Sequence, residues 1–537
     1  MRSANGRKFL TALLTCGVAA LSIVPTASVA LAQEKVVRMQ KYADARSLDP
    51  HKLMTRSISE LAALLTDTLV SIEDDLKTVG HALAKEWTVS EDGLTYTFTL
   101  KDNLRFCDGK ALTAKSVVAS FDRWRAPETQ SINTVLLGSL ETVTALDDKT
   151  VQFKLATASD QFLVNLASPY AGIIDAEEAA ALGDDFGIKH INGSGPYCWE
   201  SRRPREITVL TKNPHFTWGN AVYENPGPPA IDRFEFVIMP EDNARVAAML
   251  TGESDASYYL PLTSIAQFAN NPDFEIVEPR AFGYLAFIGT KLNRPLMEPA
   301  VRKAMNYAID REALVEVMYA GYGKPAASVL SPTFEGYNAK VEQIEPTYDP
   351  DEAGRILDEA GWVMGSDGVR VKDGVRLAPK MIGHNPWRAR LEAIQGMLRE
   401  VGIDVQLDIT DSPIATSRIL TQSDYDMYGW YASYTNTGEL MQKYFSPGEP
   451  YSPFSAVPEQ GAELGALISE AAQTLDTAKR MELYGQAQVK IAEQNLWIPL
   501  VHDPLLVVYN KKKITGVKPH GLYAGGFYKG IDLAIPE

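Results

Sequence analysis

Between Ala84 and Trp124 the chain reads AKEWTVSEDGLTYTFTLKDNLRFCDGKALTAKSVVASFDRW. Tyr96, Phe98 and Leu100 alternate with Thr95, Thr97 and Thr99, and a period of two marks a strand with one buried face. Asp92-Gly93 tolerates the positive φ angles of a tight hairpin, so Trp87–Val89 is the expected partner strand. A second Asp-Gly, Asp108-Gly109, ends another apolar run, Leu104–Phe106. Thr113 then offers a hydroxyl to cap a helix, and Val117, Phe121 and Trp124 follow at the spacing of one helical stripe. Strand, turn, strand, turn and capped helix in one short stretch make the edge of a β-rich unit. They contain no catalytic motif.

A chain of 537 residues has room for roughly two to four domains. Its first 32 residues differ from the rest. Arg2, Arg7 and Lys8 give a basic start, Phe9 to Val24 is apolar, and Ala30-Leu31-Ala32 is a small-x-small cleavage signal. The apolar run is shorter than the roughly twenty residues of a membrane span. Cys16 lies inside that run rather than at its end, which argues against lipid attachment. Met1–Ala32 therefore reads as a signal peptide, and the remainder as an exported, soluble chain. The segment holds three cations and no acid, so its removal takes the net charge from −16 to −19. Such an acidic surface disfavours nucleic acid or an anionic membrane as a partner.

Export changes how the cysteines read. Cys107 and Cys198 are the two that remain after removal of the leader, and in an oxidising compartment an even pair is a disulfide candidate. The alternative is two separate buried thiols. The bond requires that the turn Phe106-Cys107-Asp108 lie beside the segment Gly195-Pro196-Tyr197.

Ile191-Asn192-Gly193-Ser194-Gly195-Pro196-Tyr197 forbids helix and makes a rigid, close-packed turn. It is a poor phosphate loop, because no lysine follows and no helix opens after it. Further on, Lys212-Asn213-Pro214-His215-Phe216 is a loop and Gly252-Glu253-Ser254-Asp255 closes a helix–turn–strand unit. Val301, Ala304, Met305, Ala308 and Ile309 form a helical stripe, with Asp310-Arg311-Glu312 capping the next helix. Tyr348-Asp349-Pro350 starts a helix that stops at Gly361-Trp362. Leu391–Val401, Gly402 and Ile403–Leu407 read as helix, stop and strand, and Tyr425–Trp430 as the next strand. Alternating strands and helices in this half point to an open α/β sheet.

These elements, in this order, resemble the family 5 extracellular solute-binding proteins, the peptide, opine and nickel receptors of ABC importers. The family's Trp-x-x-Ser-x-Asp-Gly-x-x-Tyr-x-Phe-x-Leu run matches from Trp87, and its Gly-[Thr/Ser]-Gly-Pro-[Tyr/Phe] matches at Gly193–Tyr197. Its Val-Arg-x-Ala-x-x-x-Ala-Ile-Asp-Arg segment matches from Val301. The resemblance implies an α/β, two-lobe periplasmic binding protein fold with an extra β-rich subdomain inserted in the first lobe, three subdomains in all. The expected division is a leader at 1–32, a first lobe from 33–70, 190–283 and 503–537, an insert at 71–189, and a second lobe at 284–502.

The resemblance also implies where solute binds. Dipeptide-binding relatives carry a carboxylate-reading arginine in the region of Asn385-Pro386-Trp387-Arg388. Arg388 is the expected reader, with Trp387 and Arg390 as weaker neighbours; a surface arginine is the alternative. Trp430, Tyr431 and Ser433 follow a strand and are expected to line the cleft, unless the two aromatics are core. In the relatives an aspartate soon after this Gly-Trp takes the ligand's ammonium, but here no carboxylate appears until Glu439. Tyr258 and Tyr259 are first-lobe candidates, with core packing the other reading.

Catalytic and metal signals are weak. The seven histidines are dispersed, with no His-x-x-x-His or Cys-x-x-Cys spacing and no Gly-x-Ser-x-Gly elbow. The expectation is a monomeric, non-enzymatic receptor without a cofactor. It captures a peptide or peptide-like solute between two lobes and delivers it to an inner-membrane permease. An opine, oligosaccharide or nickel chelate is the alternative within this class, and an exported enzyme the alternative outside it.

Overall fold

The computed structural model describes residues 34–52, 56–225, 227–293, 295–422, 424–522 and 530–536. The expected leader, with Cys16, lies outside them.

Three sheets organise the described chain. The first has seven strands in the order Phe274–Val277, Val507–Asn510, Ala256–Ser257, Val36–Lys41, Arg233–Ile238, Ile207–Lys212 and Tyr197–Arg203. At its centre Val36–Lys41 runs parallel to both Arg233–Ile238 and Ala256–Ser257. The second has six strands, Lys324–Pro325, Trp497–His502, Tyr284–Thr290, Met427–Ser433, Lys380–His384 and Gln406–Thr410. It is mixed: Lys380–His384 is parallel to both its neighbours, while Tyr284–Thr290 is antiparallel to Met427–Ser433. The chain passes between these sheets twice, from Val277 to Tyr284 and from His502 to Val507.

The third sheet is built from the stretch that opened the sequence. Ala84–Val89 pairs antiparallel with Thr95–Leu100, which pairs with Thr150–Leu155 and through it with Leu140–Ala145. Tyr96, Phe98 and Leu100 are buried, as the alternation requires. Val117, Phe121 and Trp124 of the helix Ala114–Arg125 cover the same face, and the Phe121 and Phe153 rings meet edge-on at 4.9 Å. The Ser116 hydroxyl accepts from the Thr113 backbone N–H at 3.1 Å, closing the helix start.

Two expectations are corrected here. The hairpin is wider than a two-residue turn. Ser90 N–H donates to Thr95 O across the intervening residues, and of Asp92 and Gly93 only the glycine has a positive φ, +69°. Asp92 stays at negative φ because its carboxylate is used as an acceptor, from Leu94 N–H at 3.0 Å and the Ser90 hydroxyl at 2.6 Å. Leu104–Phe106 is not a full strand. Only the isolated bridge Arg105–Ala111 forms, although Leu104 and Phe106 are buried.

Cys107 and Cys198 are joined, with their Cα atoms 5.7 Å apart and a sequence separation of 91. The glycine-rich turn shows why they meet. A Cβ at Gly193 would lie 1.8 Å from Leu65 O, and one at Gly195 2.3 Å from Leu64 O. Cys107 N–H donates to Gly193 O at 3.0 Å, and the Ser194 hydroxyl donates to Ile173 O at 2.7 Å. The turn is a packed crossing of backbones, with its polar groups already used.

The second-lobe helices begin where their caps lie. Asp310 accepts from Ala313 N–H at 2.9 Å to start Arg311–Tyr319, and Asp349 accepts from Glu352 N–H at 2.9 Å to start Pro350–Glu359.

Candidate functional site

In open α/β sheets solutes bind beyond the carboxyl ends of the strands. In the first lobe those ends carry Lys41 and Tyr42, then Tyr258 and Tyr259. Tyr258 and Tyr259 are buried against each other, ring centroids 4.5 Å apart, and Tyr42 meets Tyr259 edge-on at 4.8 Å. The Tyr259 hydroxyl donates to Glu60, whose other oxygen accepts from Lys41 Nζ at 2.9 Å. This buried acid is thus paired, as a charge taken out of water must be.

In the second lobe the corresponding edge carries His384, Trp387, Trp430, Tyr431 and Ser433, with Tyr284 starting the adjacent antiparallel strand. Trp430 and Tyr431 lie nearly parallel with centroids 5.6 Å apart, and Tyr431 stacks on Tyr284 at 4.8 Å. Trp430 is buried and Tyr431 half-buried, while Ser433 is exposed. His384 packs 4.4 Å from Trp430 and contacts the Ser412 hydroxyl through Nδ1 at 3.0 Å. Burial, reinforced by the nearby Arg390 charge, lowers its pKa to about 4, so the ring is neutral at pH 7. Its Nε2 is buried without a hydrogen-bond partner among the described residues.

The two arginines of the Trp387 segment separate clearly. Arg388 opens the helix Arg388–Glu400 with its side chain 53% exposed, 3.6 Å from Glu392 and 3.3 Å from Asn385 Oδ1. Arg390 lies between rings, its guanidinium carbon 4.5 Å from the Trp387 centroid and 4.7 Å from that of Tyr319. Its Nε is buried with no hydrogen-bond partner among the described residues. The residue as a whole is only half-buried, and its guanidinium stacks between the two ring faces. Sequence reasoning ranks Arg388 first because it follows Trp387 directly; the helical turn that places Arg390 over that ring is not a linear signal.

The place of the missing aspartate is also accounted for. Glu439 accepts from Thr435 N–H and from the Thr435 hydroxyl, both at 2.8 Å, and its own N–H donates to Asn436 Oδ1 at 2.8 Å. This is reciprocal capping of the helix Thr437–Phe445. The carboxylate closes its own loop.

Sequence reasoning passes over Tyr170, Lys443, Tyr444 and Tyr451. The Tyr170 hydroxyl bonds Ser59, and burial raises its pKa with further contributions from Glu439 of the second lobe and Glu60 of the first. Tyr444 and Tyr451 lie 5.3 Å apart, and the Lys443 ammonium sits 5.1 Å from the Tyr444 centroid. The run Gln442-Lys443-Tyr444-Phe445 gives no hint of this, because its spacing is that of an ordinary amphipathic helix. Among the described residues no three His, Cys, Asp or Glu side chains are grouped to hold a metal.

The profile of "Bacterial extracellular solute-binding proteins, family 5 Middle" matches residues 78–452. A curated relative, the glutathione-binding protein GsiB of Salmonella typhi, is 28% identical over 481 residues, covering 88% of this chain and 89% of its own. The oligopeptide-binding protein AppA of Bacillus subtilis, solved with a nonapeptide, superposes with a TM-score of 0.76 at 21% identity, over 94% of this chain and 100% of its own. NikA of Brucella suis, solved with Fe(III)-EDTA, superposes at 0.82 with 21% identity, over 94% and 100%. The chain belongs to the bacterial extracellular solute-binding proteins of family 5, the substrate-binding components of ABC importers.

Proposed function

We propose that this protein captures an anionic, peptide-like solute in the cleft between its lobes and hands it unaltered to an ABC permease. The observation that carries this reading is Arg390, held between Trp387 and Tyr319 with a buried, unpartnered Nε. A guanidinium in that setting favours a carboxylate by charge-assisted, bidentate contact. Tyr431, stacked on Tyr284, offers a half-buried aromatic floor beside it, with Trp430 beneath, Ser433 at the rim, and Tyr258 and Tyr259 on the opposite lobe.

The ligand class draws on the relatives' names, glutathione and oligopeptides among them. Glu439 is committed to Thr435, so no second-lobe carboxylate waits there for an ammonium, which favours an acidic peptide derivative over an ordinary dipeptide. With lobes divided at 33–70, 190–283 and 503–537 against 284–502, and 71–189 inserted, the cleft falls where both crossovers run. Closure follows because a solute touching both lobes binds the closed state better and shifts the population toward it. The mature protein is a periplasmic monomer cleaved near Ala32, and it performs no chemistry on its cargo.

The test is calorimetric titration of the mature chain with acidic di- and tripeptides, neutral peptides, opines and metal chelates. Micromolar or tighter binding confined to the acidic peptide-like members supports the reading. Binding only of neutral peptides or metal chelates overturns it.

A further inference from the structure

The two large sheets are joined through the chain by the segments from Val277 to Tyr284 and from His502 to Val507. The insert is fastened to the first of them. The Cys107–Cys198 bond ties it to the strand Tyr197–Arg203, where Gly193 and Gly195 cross the Leu64 and Leu65 backbone. Yet the insert also rests on the second lobe, through the loop between the strand Thr150–Leu155 and the short helix Phe162–Leu166. In that loop Asp160 N–H donates to Ala472 O at 3.2 Å, and Asp160 Oδ2 accepts from the Tyr484 hydroxyl at 3.2 Å. The helix Thr437–Phe445 closes on the same point. A Cβ at Gly438 would lie 2.9 Å from Asp160 Oδ2 and 2.7 Å from the Tyr484 hydroxyl. These contacts cross the boundary between the lobes without a covalent link, so they part when the lobes open.

A carboxylate is a costly group to place at such a seam. The Asp160 side chain is 6% exposed, and its Oδ1 is buried with no hydrogen-bond partner among the described residues. Arg480 does not cancel the charge. Its Nε stops 3.7 Å from Oδ2, beyond hydrogen-bond reach, while its other nitrogens donate to Thr474 O, Leu475 O and Thr477 Oγ1. The phenols that face Asp160, Tyr96 of the insert and Tyr484 of the second lobe, are neutral. Lys77 and Glu335, of opposite sign, line the adjoining cavity of about 190 Å³. An acid with one oxygen served and the other dry gains by protonation, and burial raises its pKa to about 6. With the lobes apart the carboxyl meets water and keeps its ordinary value near 4.

We propose that Asp160 makes lobe closure proton-linked: its carboxyl docks on the helix Thr477–Glu493 when the insert and the second lobe meet, takes a proton from solvent there, and returns it when they part. The closed form then holds more protons between about pH 4 and pH 6, so closure is favoured as pH falls. The closed-to-open ratio should rise about tenfold from pH 7.5 to pH 5. The device acts on that ratio itself, so it tightens capture of every solute by one factor and leaves selectivity to the cleft.

Small-angle X-ray scattering of the ligand-free mature protein at pH 5 and pH 7.5 tests this. The expected result is a smaller radius of gyration at pH 5 for wild type, and the smaller radius at both pH values for Asp160→Asn, which keeps the neutral form. An equal radius at both pH values in wild type overturns the proposal. So does a pH shift that Asp160→Asn retains in full. Hydrogen–deuterium exchange of wild type needs no variant to fold. Corrected for intrinsic rates, the Asp160 amide should be better protected at pH 5, while the amides of Tyr96 and Phe98 inside the insert's sheet stay unchanged. Equal protection of Asp160 at both pH values also overturns it. Neither readout uses a solute, so failure here leaves the anionic-solute reading standing.

Discussion

The ring of Tyr431 stacks on that of Tyr284, centroids 4.8 Å apart and planes 22° from parallel. Tyr284 is the first residue of the strand entered from one interlobe crossover, and Phe282, within that crossover, stacks on it in turn at 5.6 Å. The proposed cleft floor is thereby joined to one of the two segments that pass between the sheets. Tyr431→Ala should weaken solute binding about tenfold, since a stacked aromatic contributes about 0.5–1.5 kcal/mol beyond its buried area. Tyr431→Phe should bind as wild type. Titration calorimetry of both variants checks this.

Arg390 and Arg388 give opposite expectations. Arg390→Met keeps the apolar stem between Trp387 and Tyr319 but removes the charge, and should cost about 10- to 100-fold in affinity for an anionic solute. Arg388, exposed beside Glu392, is an ordinary surface pair worth at most about 1 kcal/mol. Arg388→Ala should change affinity less than about threefold. A reversed order of the two would move the anion site to the other face of the helix.

The Cys107–Cys198 bond ties the insert's edge to the strand that returns to the first sheet. Opening a 91-residue loop should cost about 2–5 kcal/mol. Scanning calorimetry of the Cys107→Ser, Cys198→Ser double variant should show a lowered melting temperature. Thiol titration of the unreduced, denatured mature chain should find no free thiol.

Much of this was legible in the residues. The Thr95–Leu100 alternation, the Val117–Phe121–Trp124 stripe and the Asp310 and Asp349 caps are local signals, and local hydrogen bonds and one-sided burial enforce them. Gly193 and Gly195 were readable as a close approach, though not the Leu64 and Leu65 carbonyls they approach. The site was less legible. Arg388 and Arg390 are two residues apart, and only the helix start after Trp387 decides which one faces the aromatic pair. Tyr170 and Glu439 influence each other electrostatically across a sequence gap that no spacing rule spans.

Asp160 should make stability depend on pH. Its side chain is 6% exposed, 3.7 Å from Arg480 Nε, and accepts from the Tyr484 hydroxyl at 3.2 Å. Its other oxygen is buried with no partner among the described residues. Burial, only partly offset by Arg480, raises its pKa to about 6. Between the unfolded value near 4 and this folded value the native state holds the extra proton. Stability from this group is therefore greatest below about pH 4 and is lost as pH rises through 6. Asp160→Asn, which mimics the protonated acid, should gain about 1–3 kcal/mol over wild type at pH 7.5 and nothing at pH 4. Melting curves of both proteins across this range decide it; a variant less stable than wild type at pH 7.5 would show that the Arg480 pairing outweighs burial.

The central claim is that the two lobes close on an anionic peptide-like guest and release it unchanged. The most direct measurement is native mass spectrometry of the mature protein incubated with a mixed panel of acidic and neutral peptides, opines and chelates, followed by denaturation and identification of what is released. The account predicts a one-to-one complex with an acidic peptide-like compound, recovered at its original mass, and loss of that complex in Arg390→Met. Recovery of a cleaved or modified product, or selection of a neutral solute that Arg390→Met still binds, would contradict it.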